Sequence, residues 1–264
     1  MFSYQHIYHA GSLADVHKHA LLAVLLEYLA AKEPALSYFE THAGRGVYDL
    51  SAPEAKKTGE AKLGILSLLK DRVLPKDHPF MRALATFVRA HGPKMYPGSP
   101  SLAQILLRPD DALHFMELHP QEFDHLRRHF AHSHAHVSKR DGYQGVWALS
   151  PPTPRRGVVL IDPSYEDKGE YARTVDFAED LATRWCEATL MVWYPVLRAG
   201  HEAALRQAVA RSTLSSKTWE LSFPAKVTGY GLTGTGVTLF NVPTGVEESL
   251  NATHALLDTW LQGL

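Results

Sequence analysis

Asp162, Pro163, Ser164 and Tyr165 close the apolar run Val158 to Ile161 ("VVLIDPSY") and set a carboxylate, a stiff backbone and an aromatic ring side by side at a strand end. That set suits chemistry at an exocyclic amino group. An aromatic amine is a poor nucleophile because its lone pair is delocalised into the ring. Acceptors that take both amino hydrogens favour the geometry in which it attacks. The Asp162 carboxylate and the Pro163 carbonyl offer two such acceptors, and Tyr165 can stack on the base, an interaction worth about 1–3 kcal/mol. A base handled this way is single-stranded or turned out of its helix. Taken alone, Asp-Pro-x-Tyr also describes a proline turn whose tyrosine belongs to the core.

Three further strand ends carry polar groups. "ALSYFETHAGRG" reads as a strand ending in Glu40, Thr41 and His42 and breaking into a glycine loop at Gly44 and Gly46. "ALHFMELHP" ends at Glu117, and "AHVSKRDG" ends at Asp141-Gly142. Ligands of open α/β sheets bind at the carboxyl ends of the strands. Glycines after one strand and an acid after the next make a nucleotide-type pocket, in which backbone approaches the ligand and the acid grips ribose hydroxyls. That acid usually follows about 20 residues after the glycines. Here Glu117 comes much later, which requires an insertion behind the loop.

The elements that position these groups follow from periodicity. "DVHKHALLAVLLEYLA" repeats leucines at helical spacing, with Asp15 as N-cap and His17, Lys18 and His19 in the first turn, where free backbone N–H groups attract anions. On that ground Lys18 is a candidate contact for a carboxylate or a phosphate, and His17 is expected in solvent. Residues 47–94 read as helical and polar without a strand, "TGEAKLGILSLLK" and "HPFMRALATFVRA" being the best helices. Strands and helices then alternate to "VTLFNVP" and a helical tail, with "GYGLTGTG" as a glycine loop. Continuous apolar strands indicate a mostly parallel sheet covered on both faces. The last two strands lie close together and are expected to form an antiparallel edge. The reading is α/β and Rossmann-like: 1–46 and 95–264 form one domain, and 47–94 an inserted helical subdomain.

Bulk properties bound the function. The chain has 264 residues and a formal net charge of −1, so nucleic acid needs a local patch rather than a global basic field. One cysteine, Cys186, excludes a disulfide framework and fits a reducing cytoplasm. The start lacks a basic segment followed by an apolar one, so no signal peptide is expected. No apolar run approaches the roughly 20 residues of a membrane helix.

"SYQHIYHAGSLADVHKH", "THAGRG", "YPGSP", "ELHP", "DG", "LIDPSY" and "WYP", in this order over nearly the whole chain, resemble the bacterial 23S ribosomal RNA adenine-N6 methyltransferases of the RlmJ type. The resemblance implies a class I S-adenosylmethionine-dependent methyltransferase fold with a helical insertion. It also implies methylation of one adenine of 23S ribosomal RNA. Carried over by position, the cofactor contacts are His19, His42, Ser99, Glu117, Asp141, Gly142 and Asp162. Asp162 is also the catalytic residue, served by Pro163 and Tyr165, and Tyr4 contacts the substrate. The family usually reads Asp-Pro-Pro-Tyr; Ser164 departs from it and leaves the acceptor set intact. No obligate protein partner is expected, the chain acting as a monomer.

Two other readings stand beside this one. Histidines 6, 9, 17, 19 and 42 with Asp15 could converge on a metal in a hydrolase, as could "HSHAH" at 132–136, although no tight metal pattern is present and no metal is expected. Ser164 could instead mark a non-catalytic rRNA-binding protein on a methyltransferase fold. Lys56-Lys57 and Arg155-Arg156 are the better candidates among scattered basic residues for tracking RNA.

Overall fold

A computed structural model describes residues 4–225 and 231–264. The chain opens with α1 (Leu13–Ala30), β1 (Ser37–Glu40) and β2 (Val47–Asp49). Four helices follow: α2 (Pro53–Thr58), α3 (Glu60–Leu63), α4 (Ile65–Asp71) and α5 (Pro79–His91). Next come β3 (Met95–Pro97), α6 (Ser99–Leu106), β4 (Ala112–Met116), α7 (Pro120–His129), β5 (His136–Ser138) and α8 (Gly142–Leu149). The chain closes with β6 (Gly157–Ile161), α9 (Glu170–Arg184), β7 (Ala188–Leu197), α10 (Ala203–Arg211), β8 (Ser216–Ser222), β9 (Leu232–Phe240) and α11 (Glu247–Gly263).

Seven strands form one sheet in the order β5-β4-β1-β6-β7-β9-β8. The first five are mutually parallel, and β9 inserts antiparallel between β7 and β8. A parallel sheet with one late strand reversed near its edge is the class I methyltransferase arrangement. It also meets the expectation of an antiparallel edge.

The sheet is dry on both faces, which explains the unbroken apolar runs. Along β6, Val158 and Leu160 pack with the leucines of α1, while Val159 and Ile161 pack with Tyr171, Val175 and Leu181 of α9. Truncating such a residue to alanine costs about 2–5 kcal/mol. Helix α1 is buried on almost every side, against α5, α6, α11 and β9. No described helix is long and apolar enough to cross a membrane.

Several local expectations are corrected. Val47–Asp49, expected in helical sequence, is a strand that pairs antiparallel with Met95–Pro97 and so joins the two ends of the helical segment. "TGEAKLGILSLLK" is two helices, parted at Gly64. A Cβ there would lie 2.1 Å from the Gly11 carbonyl oxygen, so this close approach requires glycine. The cap of α1 is Ser12, whose side chain accepts from the Asp15 N–H; Asp15 sits inside the first turn. His17, Lys18 and His19 are therefore one turn deeper than expected, and His17 is fully buried rather than solvated. Helix α8 was not foreseen. Of the "GYGLTGTG" loop, residues 232–236 belong to β9, and Gly229 and Tyr230 lie outside the described residues.

Candidate active site

The strand tips of β1, β4, β5 and β6, the start of α1 and the chain before it enclose a cavity of about 610 Å³. All the residues expected at the site line it: Tyr4, Lys18, His19, His42, Ser99, Glu117, Asp141, Gly142, Asp162, Pro163 and Tyr165. Sequence reasoning gave their convergence only through strand order, and the sheet supplies it.

Asp162 leaves the sheet directly after β6. Its Oδ2 accepts from Lys18 Nζ at 2.6 Å, and the same ammonium lies 3.2 Å from Asp15 Oδ1. Burial opposes a charged Lys18, but Asp162 and Asp15 outweigh it and hold the ammonium above the ordinary lysine range. Burial likewise opposes a charged Asp15. His6, Lys18 and His19 prevail, and the carboxyl is held well below its usual range. No side chain or backbone N–H among the described residues bonds Asp162 Oδ1 or the Pro163 carbonyl. Two acceptors of adjacent, cavity-lining residues are thus without partners among the described residues.

Tyr165 is fixed from both ends. Its hydroxyl donates to the Trp193 carbonyl at 2.7 Å, and its ring lies against Tyr171 with centroids 4.4 Å apart. It adopts φ of 53°, a left-handed backbone that side chains rarely take. Strain of that kind recurs where a loop must aim a functional group. The core reading of Tyr165 and the lining reading both describe it: it is 7% exposed and borders the cavity.

The chain before α1 lies over the same carboxylates. The Tyr4 hydroxyl bonds His6 Nδ1 at 2.9 Å, and His6 Nε2 bonds Asp15 Oδ2 at 2.9 Å. Tyr4, His6, Asp15, Lys18 and Asp162 therefore form one hydrogen-bonded series. Neither His6 nor Asp15 was read from the sequence as part of it. The Ser12-x-x-Asp15 spacing does carry a capping signature that marks the helix start.

At the other end of the cavity, Glu117 accepts the Gly44 N–H at 2.8 Å on one oxygen and the His119 N–H at 2.7 Å on the other. Each oxygen keeps a lone pair for a ligand hydroxyl. Burial raises its pKa against the pull of those N–H groups. Asp141 caps α8 through the Gln144 N–H at 3.0 Å, so the cap reading holds alongside its place on the cavity wall. Gly142 presses on the tip of β1: a Cβ there would fall 1.8 Å from the Thr41 carbonyl oxygen. His42 stands edge-on to Tyr143, and burial lowers its pKa to about 4. His19 bonds the Tyr96 hydroxyl through Nδ1 at 2.8 Å, and burial lowers its pKa to about 3. Both imidazoles are neutral donors or acceptors at physiological pH.

The candidate metal histidines disperse onto separate partners. His6 goes to Asp15, His9 to Glu60, His19 to Tyr96 and His42 to Thr41, while His17 packs against His254. In "HSHAH" only His136 lies in a strand, stacked on His114. Among the described residues no group of three or more His, Cys, Asp or Glu is placed to hold a metal ion. Arg155 and Arg156 precede β6, at the opposite end of the sheet, where they bond Glu187 and the carbonyls of Leu29 and Lys32. They are structural and lie away from the site. Lys56 and Lys57 lie on α2.

The site's relatives are specific. A family model described as "Ribosomal RNA large subunit methyltransferase D, RlmJ" matches residues 33–263. The chain is 35% identical over 254 residues to ribosomal RNA large subunit methyltransferase J of Escherichia coli K12, covering 95% of this chain and 91% of that protein. It is 37% identical to the protein of the same name from Haemophilus influenzae Rd, covering 95% and 90%. The crystal structure of LPL1258 from Legionella pneumophila superposes with a TM-score of 0.83 at 35% identity, covering 96% of this chain and 94% of that one. With the strand order, the cavity and these matches spanning nearly its whole length, the chain belongs to the RlmJ family of ribosomal RNA large subunit methyltransferases.

Proposed function

We propose that this enzyme transfers a methyl group from S-adenosylmethionine to the N6 amino group of an adenine in 23S ribosomal RNA. The observation that carries the reading is the pair of acceptors, Asp162 Oδ1 and the Pro163 carbonyl, that have no partner among the described residues, beside the pinned Tyr165 ring in one cavity with Glu117 and Asp141.

The cavity fits the cofactor. Its volume lies within the ordinary range for small-molecule sites. Glu117 keeps lone pairs for the ribose hydroxyls, Asp141 and Gly142 with His42 border the purine end, and His19 and Ser99 border the amino-acid end. When bound, S-adenosylmethionine supplies an electrophilic methyl group. The protein's part is to hold the other reactant. Asp162 Oδ1 and the Pro163 carbonyl accept the two amino hydrogens, which frees the nitrogen lone pair. Tyr165 offers its face to the purine, and its fixed position keeps the base from rotating. Lys18 holds the Asp162 carboxylate in place through the bond to Oδ2. Asp162 need not be a strong base, since an amine that has gained a methyl group and a positive charge sheds its proton readily.

In this reading residues 47–94 form an inserted helical subdomain on a core of 1–46 and 95–264, and Lys56 and Lys57 of that insertion meet RNA phosphates. The enzyme acts as a monomer in the cytoplasm. The test is incubation with methyl-labelled S-adenosylmethionine and unmodified 23S rRNA, followed by nucleoside mass analysis. N6-methyladenosine is expected from the wild type and none from Asp162→Ala, which should still bind cofactor measurably. Cofactor binding without transfer to any RNA would favour the non-catalytic reading.

A further inference from the structure

Glu40 is a fully buried carboxylate near the cavity that the mechanism leaves unused. It ends β1 with no exposed surface, behind Ser99 rather than on the cavity wall. Its hydrogen-bond partners among the described residues are two hydroxyls. Tyr38 donates to Oε1 at 2.8 Å, and Ser99 Oγ lies 2.7 Å from Oε2. No described cation pairs with it. A carboxylate in that position is costly to ionise.

The proton's place follows by elimination. The Tyr38 hydroxyl is fully buried and Glu40 is its sole acceptor among the described residues, so it donates to Oε1. With Glu40 ionised, Ser99 Oγ donates to Oε2; an acid proton on Glu40 sits on Oε2 and reverses that bond, pointing at Ser99 Oγ. Ser99 in turn must aim its own proton elsewhere, and the cavity is where it can go. Ser99 is the first residue of α6, whose amino end already favours negative charge. His19 offers a second donor in the tautomer in which the Tyr96 hydroxyl donates to Nδ1, which leaves Nε2–H without a protein partner among the described residues.

We infer that Glu40 acts as a neutral acid that turns the Ser99 hydroxyl into a donor, and so sets the polarity of a subsite for the carboxylate of the cofactor's amino-acid end. The inference rests on the methyltransferase reading and names Glu40 as a positioning residue. Burial pushes its carboxyl up to about 8, against the lowering effect of the Ser99 and Tyr38 hydrogen bonds; Asp162 raises it further and Lys18 lowers it. Those four, from β1, α6, α1 and the turn after β6, are the groups that face it. Above that pH Glu40 ionises and draws the Ser99 proton back, so the subsite presents lone pairs to an anion.

The experiment is titration calorimetry of S-adenosylhomocysteine and of 5′-methylthioadenosine, which lacks the amino-acid end, between pH 6.5 and 9. In the wild type the preference for S-adenosylhomocysteine should fall about tenfold from pH 7 to pH 9, as expected for loss of one proton near pH 8. Glu40→Gln mimics the neutral acid, its amide oxygen accepting from Tyr38 and its NH2 donating to Ser99. It should keep the pH 7 preference within about twofold, and the variant's profile should lose the Glu40-dependent fall. Ser99→Ala should lower the preference at pH 7 and abolish the same fall; it decides the matter if Glu40→Gln does not fold. A wild-type profile that runs parallel to either variant's, or a Glu40→Gln protein that loses the preference while still binding 5′-methylthioadenosine, overturns the inference. If the wild type binds neither ligand, the methyltransferase reading falls with it. If it binds both with a preference indifferent to Glu40, only this inference falls.

Discussion

Replacing Lys18 with methionine removes the cation that serves two buried carboxylates and keeps most of its packing volume. The side chains concerned are 5% exposed for Lys18, 2% for Asp15 and 14% for Asp162. After the change Asp15 retains His6 and the Gly11 N–H at 2.9 Å, while Asp162 retains no described partner. Stranding one partner of a buried ion pair costs about 3–5 kcal/mol. For a chain of this size that corresponds to a melting-point drop of roughly 10 °C at pH 8. The pH dependence has a definite sign. Asp15 is held well below its ordinary range, so its contribution is present above pH ~4 and is lost as pH falls through the folded value. In the variant Asp15 loses one of the cations that lower its carboxyl and so takes up a proton at a higher pH. The gap between wild type and variant should therefore be widest at pH 8 and shrink toward pH 4. Calorimetric melting at several pH values measures it, with cofactor binding followed on the same samples. A drop under about 2 °C at pH 8, or a gap that grows in acid, would refute the assigned role of Lys18.

Gly142→Ala should destabilise the protein by about 3 kcal/mol or more, because its Cβ would meet the Thr41 carbonyl oxygen at 1.8 Å and neither backbone can yield cheaply; a melting point like the wild type's would show that the tip of β1 is not packed this way. Tyr165→Phe should keep methyl transfer within a few-fold and lose about 1 kcal/mol of stability with the bond to the Trp193 carbonyl. A hundredfold loss of rate would make the hydroxyl, not the ring, the working part. Glu40 carries a raised carboxyl, so wild-type stability should decline as pH rises from the ordinary glutamate value through about 8, and Glu40→Gln should lack that decline in denaturant melts. RNA affinity should weaken steeply with salt, less so in a Lys56→Ala, Lys57→Ala double variant; equal slopes would remove those lysines from the interface.

The strand tips were legible in the sequence because a sheet buried on both faces leaves unbroken apolar runs, and "VVLI" before Asp162 is one of them. The helices with sustained leucine spacing, α1 above all, were equally plain. What escaped was short or glycine-bearing. Val47–Asp49 has three residues and exists through its pairing with Met95–Pro97. Helix α8 begins "GYQG", and two glycines conceal its period. That the site residues meet at one cavity was readable by strand position and family likeness, whereas the wiring between them was not. Asp15 looked like a cap, and only the folded chain brings it to His6 and Lys18. His17, next to Lys18 in the chain, faces α11 and packs on His254, since neighbours along a helix point to different sides. Arg155 and Arg156 drew attention by charge, yet they precede β6 and so stand at the wrong end of the sheet.

The most direct test of the central claim is a crystal structure of the enzyme with S-adenosylhomocysteine and an adenine-containing RNA fragment. The account requires the extruded adenine to lie on Tyr165, with its amino nitrogen in hydrogen-bond contact with Asp162 Oδ1 and the Pro163 carbonyl and the cofactor's sulfur on the adjoining side toward Glu117 and Asp141. An adenine seated away from Asp162, or a cofactor bound outside this cavity, would contradict it.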